Sequence, residues 1–181
     1  MIQWLLGGRS GRDLCRARLR LGGEALQEVI ESAKQWTRSE QGLLTIGGYV
    51  SGIAQTSIAL GPPTEEVHAL VEDTLDIVRR TGQLTYEADL LRLRGEILLL
   101  KEPKSEMSAQ ECFEAAIASS RACNSKSSEL RATICLARLL RDTNRRDEAR
   151  AMRSDIYNWF TEGFDNADLK DAKALLDELA S

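Results

Sequence analysis

Small residues recur at a fixed interval in the helical segments of this chain, and that interval limits the folds open to it. Patterns with 3.6-residue apolar spacing follow one another along most of the sequence. Alternate patterns align on positions 41 and 42 residues apart, Ala54, Gly95 and Ala137. The patterns between them align on positions 42, 42 and 40 residues apart: Ala25, Val67, Ala109 and Ala149. Two helices in each period of about 40 residues are typical of a solenoid, in which every pair buries its apolar face against the next.

The clearest copy of this unit lies at 86–122, where two amphipathic patterns are separated by a break at 102–104. Gly95 falls inside the first pattern and Phe113 inside the second. A glycine at a helix crossing lets the two axes approach, and a large side chain then fills the adjacent groove. We therefore interpret Gly95 as a packing residue of the crossing.

The predicted fold class is all α, because no strand alternation of useful length occurs and about nine helices follow one another through short loops. Thr64 is placed to cap one helix, and Gly82 to end it. Glycines at 42, 47, 48 and 52 are expected to let a neighbouring backbone approach. The whole chain, 1–181, is interpreted as one domain, with an irregular segment at 1–21, repeats at 22–163 and a capping helix at 164–181.

Composition narrows the function classes. The formal charge is −4 and the two signs are interleaved, which argues against a nucleic-acid-binding protein. None of the four cysteines forms a C-x-x-C pair, so we expect reduced thiols in a cytoplasmic compartment. No stretch of about 18 apolar residues predicts a membrane span, and the N-terminus lacks the features of a signal peptide.

The packing positions resemble those of the tetratricopeptide superfamily in a longer-period form. The residues that carry this resemblance are Leu91, Gly95, Leu98, Ala109, Phe113 and Ala116. It implies a tetratricopeptide-like α-α superhelix of about four helix pairs plus a C-terminal capping helix. The inner wall of such arrays, built by the first helix of each pair, holds the ligand.

A closer resemblance runs through YEADLLRLRGEILL and the terminal WFTEGFDNADLKDAKALLDEL. These segments are similar to the C-terminal repeat region of bacterial signalling proteins, namely predicted ATPases joined to class III adenylate cyclase or transcriptional-activator domains. The chain has no phosphate-binding G-x-x-x-x-G-K-[ST] motif. The resemblance therefore implies a sensor or scaffold part of such a protein, as a fragment or as a stand-alone relative.

No motif points to an enzyme, a cofactor or a metal. His68 is the only histidine and is expected to be structural. Carboxylates at Asp165, Asp168, Asp171 and Asp177 suggest either a metal site or the start of the last helix, and we favour helix capping. The expectation is a non-catalytic protein-interaction module that binds no nucleic acid and no membrane.

The predicted binding wall has a mixed character that becomes basic towards the C-terminus. Transferred from the packing positions, it contains Ser51, Gln55, Asp89, Arg92, Glu96, Arg131, Arg138 and Arg141. Arginine side chains bind carboxylates through two parallel hydrogen bonds. An acidic peptide or a chain terminus is the expected partner, and an ordinary solvated helix face is the alternative.

Self-association is a second hypothesis for function. An irregular segment at 1–21 would leave the apolar face of 25–36 poorly covered, and exposed apolar patches often mark interfaces. The aromatic residues Trp159, Phe160 and Phe164 form another candidate surface. We expect them to pack the last pair against its terminal helix rather than to bind a peptide.

Overall fold

The computed structural model describes residues 23–37, 45–102 and 104–180, and these ranges are helical with no strand. They contain eight α-helices joined by short connections. The helices are α1 (Gly23–Trp36), α2 (Ile46–Leu60), α3 (Glu65–Thr81), α4 (Glu87–Lys101), α5 (Glu106–Ala122), α6 (Lys126–Asp142), α7 (Arg146–Asn158) and α8 (Ala167–Ala180). A 3₁₀ turn, Leu84–Tyr86, precedes α4. The all-α prediction is confirmed for this part of the chain. The predicted segment 1–21 lies outside the described residues.

Local sequence signals set the limits of α3 as predicted. Thr64 precedes the helix, and its Oγ1 accepts a hydrogen bond from the Val67 amide at 3.4 Å. Gly82 follows the helix with φ +71°, a left-handed conformation that glycine adopts without steric cost. Helix α7 ends at Asn158, and Trp159 follows it.

Consecutive helices pack on each other along the whole described chain. In addition, α2, α4, α6 and α8 contact one another in succession, and we call this set the even row. The helices α3, α5 and α7 form no comparable row. Helices of successive pairs therefore contact each other mainly through the even row. Side chains that project from this row share one surface.

The crossing of α4 and α5 has the predicted geometry. A Cβ added to Gly95 would lie 2.5 Å from Cε1 of the buried Phe113 ring, which shows that the ring packs directly on the glycine. Gly47 and Gly48 are also closely approached, but by the side chain of Tyr86, at 2.7 Å and 2.9 Å from the added Cβ positions. The atoms nearest to these two glycines therefore belong to a side chain, whereas the approach of a backbone was predicted.

Two apolar surfaces differ from expectation. On α1, Val29, Ile30 and Ala33 are buried, and Trp36 packs with its ring centroid 5.3 Å from that of Tyr49. The exposed face on which self-association was predicted is therefore covered.

At the other end of the chain, Phe160 packs partly against the core. Trp159 and Phe164, in contrast, are 58% and 47% exposed. Both of these rings still contact an aromatic neighbour: the centroid of Trp159 lies 5.1 Å from that of Phe160, and the centroid of Phe164 lies 5.9 Å from that of Tyr157 on α7. The predicted packing of the three aromatic side chains is therefore incomplete, because Trp159 and Phe164 also remain accessible to solvent. In the described ranges, no helix has the length and apolarity that crossing a bilayer requires.

Candidate binding cleft

An open cleft of about 570 Å³ lies on the even row, between the C-terminal halves of α4 and α6. Its apolar lining comes from α2, α4, α5 and α6. These side chains are Ile58, Leu99, Leu100, Phe113, Ile134 and Leu139. Its polar lining consists of Arg92, Glu96, Glu106, Arg131, Cys135, Arg138, Asp142, Thr143, Asp168 and Asp171. The cleft thus combines a hydrophobic floor with a charged edge, the general composition of a ligand site.

Four of the six residues predicted for protein binding line this cleft together: Arg92, Glu96, Arg131 and Arg138. Asp89 lies beside it, beneath Arg131. Gln55 is exposed on α2 and is not part of the lining.

Two further residues of the predicted wall are not in the cleft. Ser51 is buried, and its Oγ donates to the Gly47 carbonyl oxygen at 2.8 Å, so its assignment to the binding wall is wrong. Arg141 lies next to the cleft and bonds to Asp142 and Glu178.

Arg92 is the most enclosed charge in the cleft, with only 7% of its side chain exposed. Its Nη1 donates to Glu96 Oε1, and its Nε lies 3.8 Å from Asp89 Oδ1. Burial alone would lower the pKa of Arg92. The negative charges of Glu96 and Asp89 outweigh it, so the pKa is raised and the side chain stays cationic. Arg92 Nη2 is closed off from solvent and has no hydrogen-bond partner among the described residues.

Arg131 connects three consecutive helices of the even row. Its Nη2 lies 3.2 Å from the carboxylate of Asp89 on α4, and its Nη1 lies 3.2 Å from Asp168 Oδ2 on α8. Ser128 accepts a further hydrogen bond from Nη2 at 3.3 Å. The guanidinium is therefore shared between two carboxylates.

The remaining arginines of α6 are paired in the same way. Arg138 Nη2 lies 2.6 Å from Asp171 Oδ1, and Arg141 Nη1 lies 2.6 Å from Glu178 Oε2. The basic stripe predicted on α6 is thus matched by an acidic stripe on α8.

The helix-capping contact at the start of α8 comes from Asn166 rather than from one of the aspartates for which capping was favoured. Asn166 Oδ1 accepts the Asp168 amide at 2.9 Å, which is a helix-capping contact. The carboxylates of Asp168 and Asp171 instead bind arginines of α6. Sequence reasoning missed this pairing, although opposite charges on two successive first helices of the repeat were visible.

Cys135 is a protonated thiol at neutral pH. Burial, followed by the negative charge of Glu96, raises its pKa to about 12. Its Sγ donates to Glu96 Oε1 at 3.3 Å. Because the thiolate is the reactive form of cysteine, this side chain contributes shape to the cleft rather than nucleophilic reactivity.

His68 lies away from the cleft, between carboxylates on its own helix. Its Nδ1 is 3.6 Å from Glu65 and its Nε2 is 3.3 Å from Glu72. Lys101 approaches Nδ1 at 3.3 Å. These contacts agree with a structural histidine. In the described parts of the chain, no group of three or more His, Cys, Asp and Glu side chains is arranged to hold a metal ion.

No family model, curated protein or solved structure matches this chain. The resemblance to the signalling proteins stays a prediction, and function has to be argued from the cleft itself.

Proposed function

We propose that this chain is a non-catalytic protein-interaction module that captures a peptide or a helix of a partner protein in the cleft of the even row. The observation that carries the proposal is the apolar floor of an open cleft on the side where the helices converge. Such concave, mostly apolar surfaces with a few convergent polar groups are the default binding sites of folded domains.

The finer architecture belongs to the same proposal. We infer a tetratricopeptide-like superhelix, since contact between successive even helices and little contact between successive odd helices favour a curved array with the even row inside. Three complete pairs, α2–α3, α4–α5 and α6–α7, support it, with α1 before them and α8 as the capping helix. Descent from the sensor part of a cytoplasmic bacterial signalling ATPase fits a module of this kind.

Leu100 gives the proposal its energetic basis. It is 46% exposed and lies beside Leu99 and Leu139 in the lining. A single exposed leucine is normal on a protein surface. Here, however, the exposed side chain continues an apolar surface that is already concave. Fully covering a leucine is worth about 1.5–3 kcal/mol, so an occupant that covers Leu100 gains part of that energy.

Selection from a random peptide-display library on the immobilised chain tests this function. Peptides enriched on the native chain should lose binding to Leu100→Glu, because the substitution places a charge on the apolar floor. Leu84→Glu is the matched control, since Leu84 is 42% exposed but lies outside the cleft. Equal loss in both variants, or no enrichment at all, would refute capture in the cleft.

Self-association is the second candidate, and the exposed Trp159 and Phe164 favour it. Sedimentation over a wide concentration range should show a dimer that Trp159→Lys disrupts. A monomer at all concentrations would exclude this candidate and leave the first one intact.

A further inference from the structure

We infer that the cleft selects a basic amphipathic segment, in which apolar side chains enter the cleft and lysine or arginine side chains meet its edge. This inference rests on the proposed function and specifies the chemistry of the partner. It reverses the acidic partner that the arginine-rich pattern of α6 had suggested.

The charges of the lining carry the inference. Three arginines and five carboxylates line the cleft. Every one of the arginines is already bound to a carboxylate of the same chain: Arg92 to Glu96, Arg131 to Asp89 and Asp168, and Arg138 to Asp171. The positive charge that would attract an acidic partner is therefore neutralised inside the molecule.

An acidic partner would have to compete for these arginines. Displacing Asp168 from Arg131, or Asp171 from Arg138, would leave a carboxylate of α8 without its cation. Nη2 of Arg92 has no partner, but it cannot bind an acidic side chain of a ligand because the atom is closed off from solvent. Arg92 and its two neighbouring carboxylates, Asp89 and Glu96, also already carry a net negative charge.

The carboxylates at the edge remain open to a cation. Glu106, in the first turn of α5, is exposed and has no ion-pair partner within the described ranges. Asp142 and Asp171 are paired on one side only, with 63% and 49% of their side chains exposed. A carboxylate offers about four lone-pair directions, so each of these can accept a further hydrogen bond from a lysine or an arginine.

The energy of the ion pairs at the edge is small, so charge discriminates between partners but does not supply most of the affinity. Exposed ion pairs contribute about 0.2–1 kcal/mol each, which is roughly a 1.4- to 5-fold change in affinity per pair. Salt weakens such pairs, with a Debye length of about 10 Å at 0.1 M. The apolar contacts with Leu100 and its neighbours supply the salt-independent part.

Three synthetic fluorescent peptides test the inference by anisotropy titration against the intact chain. Each is about 14 residues long, roughly four helical turns, with the same leucine positions and with lysine, glutamine or glutamate at the polar positions. The expected order of affinity is lysine, then glutamine, then glutamate, with the differences shrinking as salt is raised.

Two variants locate the effect. Glu106→Gln should weaken the lysine peptide by about 1.4- to 5-fold and leave the glutamine peptide unchanged. Glu111→Gln is the matched control, because Glu111 is exposed on the same helix but outside the cleft. Asp171→Asn releases Arg138 and should shift the preference towards the glutamate peptide.

The outcomes separate this inference from the proposed function. Tighter binding of the glutamate peptide to the native chain overturns the charge preference while supporting peptide capture. Equal weakening of the lysine peptide by Glu106→Gln and Glu111→Gln shows diffuse attraction to the whole acidic surface. That result would refute the inference that carboxylates at the edge of the cleft select the partner. Failure of all three peptides to bind counts against peptide capture itself.

Discussion

Gly95→Ala should destabilise this fold, although alanine is the better helix former. The added methyl group would lie 2.5 Å from Cε1 of Phe113 and 3.0 Å from its Cδ1 and Cζ. The contacted atoms belong to a ring with 1% of its surface exposed, so the ring can turn away towards the cleft that it borders only by giving up its close packing. The helices α4 and α5 must therefore separate or the ring must leave its preferred rotamer.

Two opposing terms set the magnitude. In an unhindered helix interior, glycine to alanine gains about 1 kcal/mol. Forcing an extra methyl group into a well-packed core costs typically about 1–3 kcal/mol, and 2.5 Å is far inside the optimal carbon–carbon separation of roughly 3.5–4.0 Å. Because a contact at 2.5 Å places the cost in the upper part of that range, about 2–3 kcal/mol, we expect a net loss of about 1–2 kcal/mol in the free energy of unfolding. That loss corresponds to a fall in Tm of about 2–8 °C for a chain of this length.

Urea unfolding followed by circular dichroism of G95A, F113L and the double variant measures the two terms separately. In the F113L background the ring is absent, so G95A should now stabilise the chain by about 1 kcal/mol. Ala115→Gly, at an exposed position of α5, calibrates helix propensity and should lose about 1 kcal/mol in either background. If G95A stabilises the chain equally with and without the ring, Phe113 does not restrict the crossing and our reasoning is wrong.

Three other predictions concern single side chains. Thr64→Ala should lower the free energy of unfolding by about 0.5–1 kcal/mol while Thr64→Ser retains it, because only the hydroxyl caps α3; equal losses in urea titrations would contradict this. Burial raises the pKa of Glu129, but hydrogen bonds from Lys126 and Arg121 outweigh it and hold the pKa below its usual value of 4.5. The carboxylate therefore stabilises the fold above about pH 4.5, and the stability gap to Glu129→Gln should shrink as pH falls below that value; a gap independent of pH refutes the linkage. Iodoacetamide should alkylate the exposed Cys123 before Cys135, whose thiol pKa is about 12, and faster modification of Cys135 in site-resolved mass spectrometry would contradict the assigned protonation.

The helices were predictable because their determinants are local. Thr64 and Gly82 act through contacts within one turn of the chain, and the buried positions of α3 and α6 follow from 3.6-residue spacing. The crossing at Gly95 was also predictable, because a glycine in one helix and a large side chain in the next are typical of two helices that pack closely at that point. Ser51 shows where the transfer of binding-wall positions from the packing residues of the repeat fails. It was assigned to the wall, but its hydroxyl bonds within its own helix.

The charged network was not predictable from the same signals. Arg138 and Asp171 are 33 residues apart, whereas Arg131 and Asp168 are 37 residues apart. Pairing at such separations depends on how far one helix is shifted along the next, and a helical pattern does not encode that shift. Leu100 differs from these pairs, because it follows Arg92 and Glu96 at i+8 and i+4 on the same face of α4, and helical spacing alone could have placed it beside them.

The shared guanidinium of Arg131 has a mechanical consequence. It fastens α6 to α4 through Asp89 and to α8 through Asp168, so one side chain spans two successive joints of the array. Because the joints of a stacked array lie in series, a small rotation at each one adds to the next. A ligand that displaces Arg131 from one of the two carboxylates would relax the joint that this ion pair holds. The stiffness of the helical array would then depend partly on the charge of its ligand.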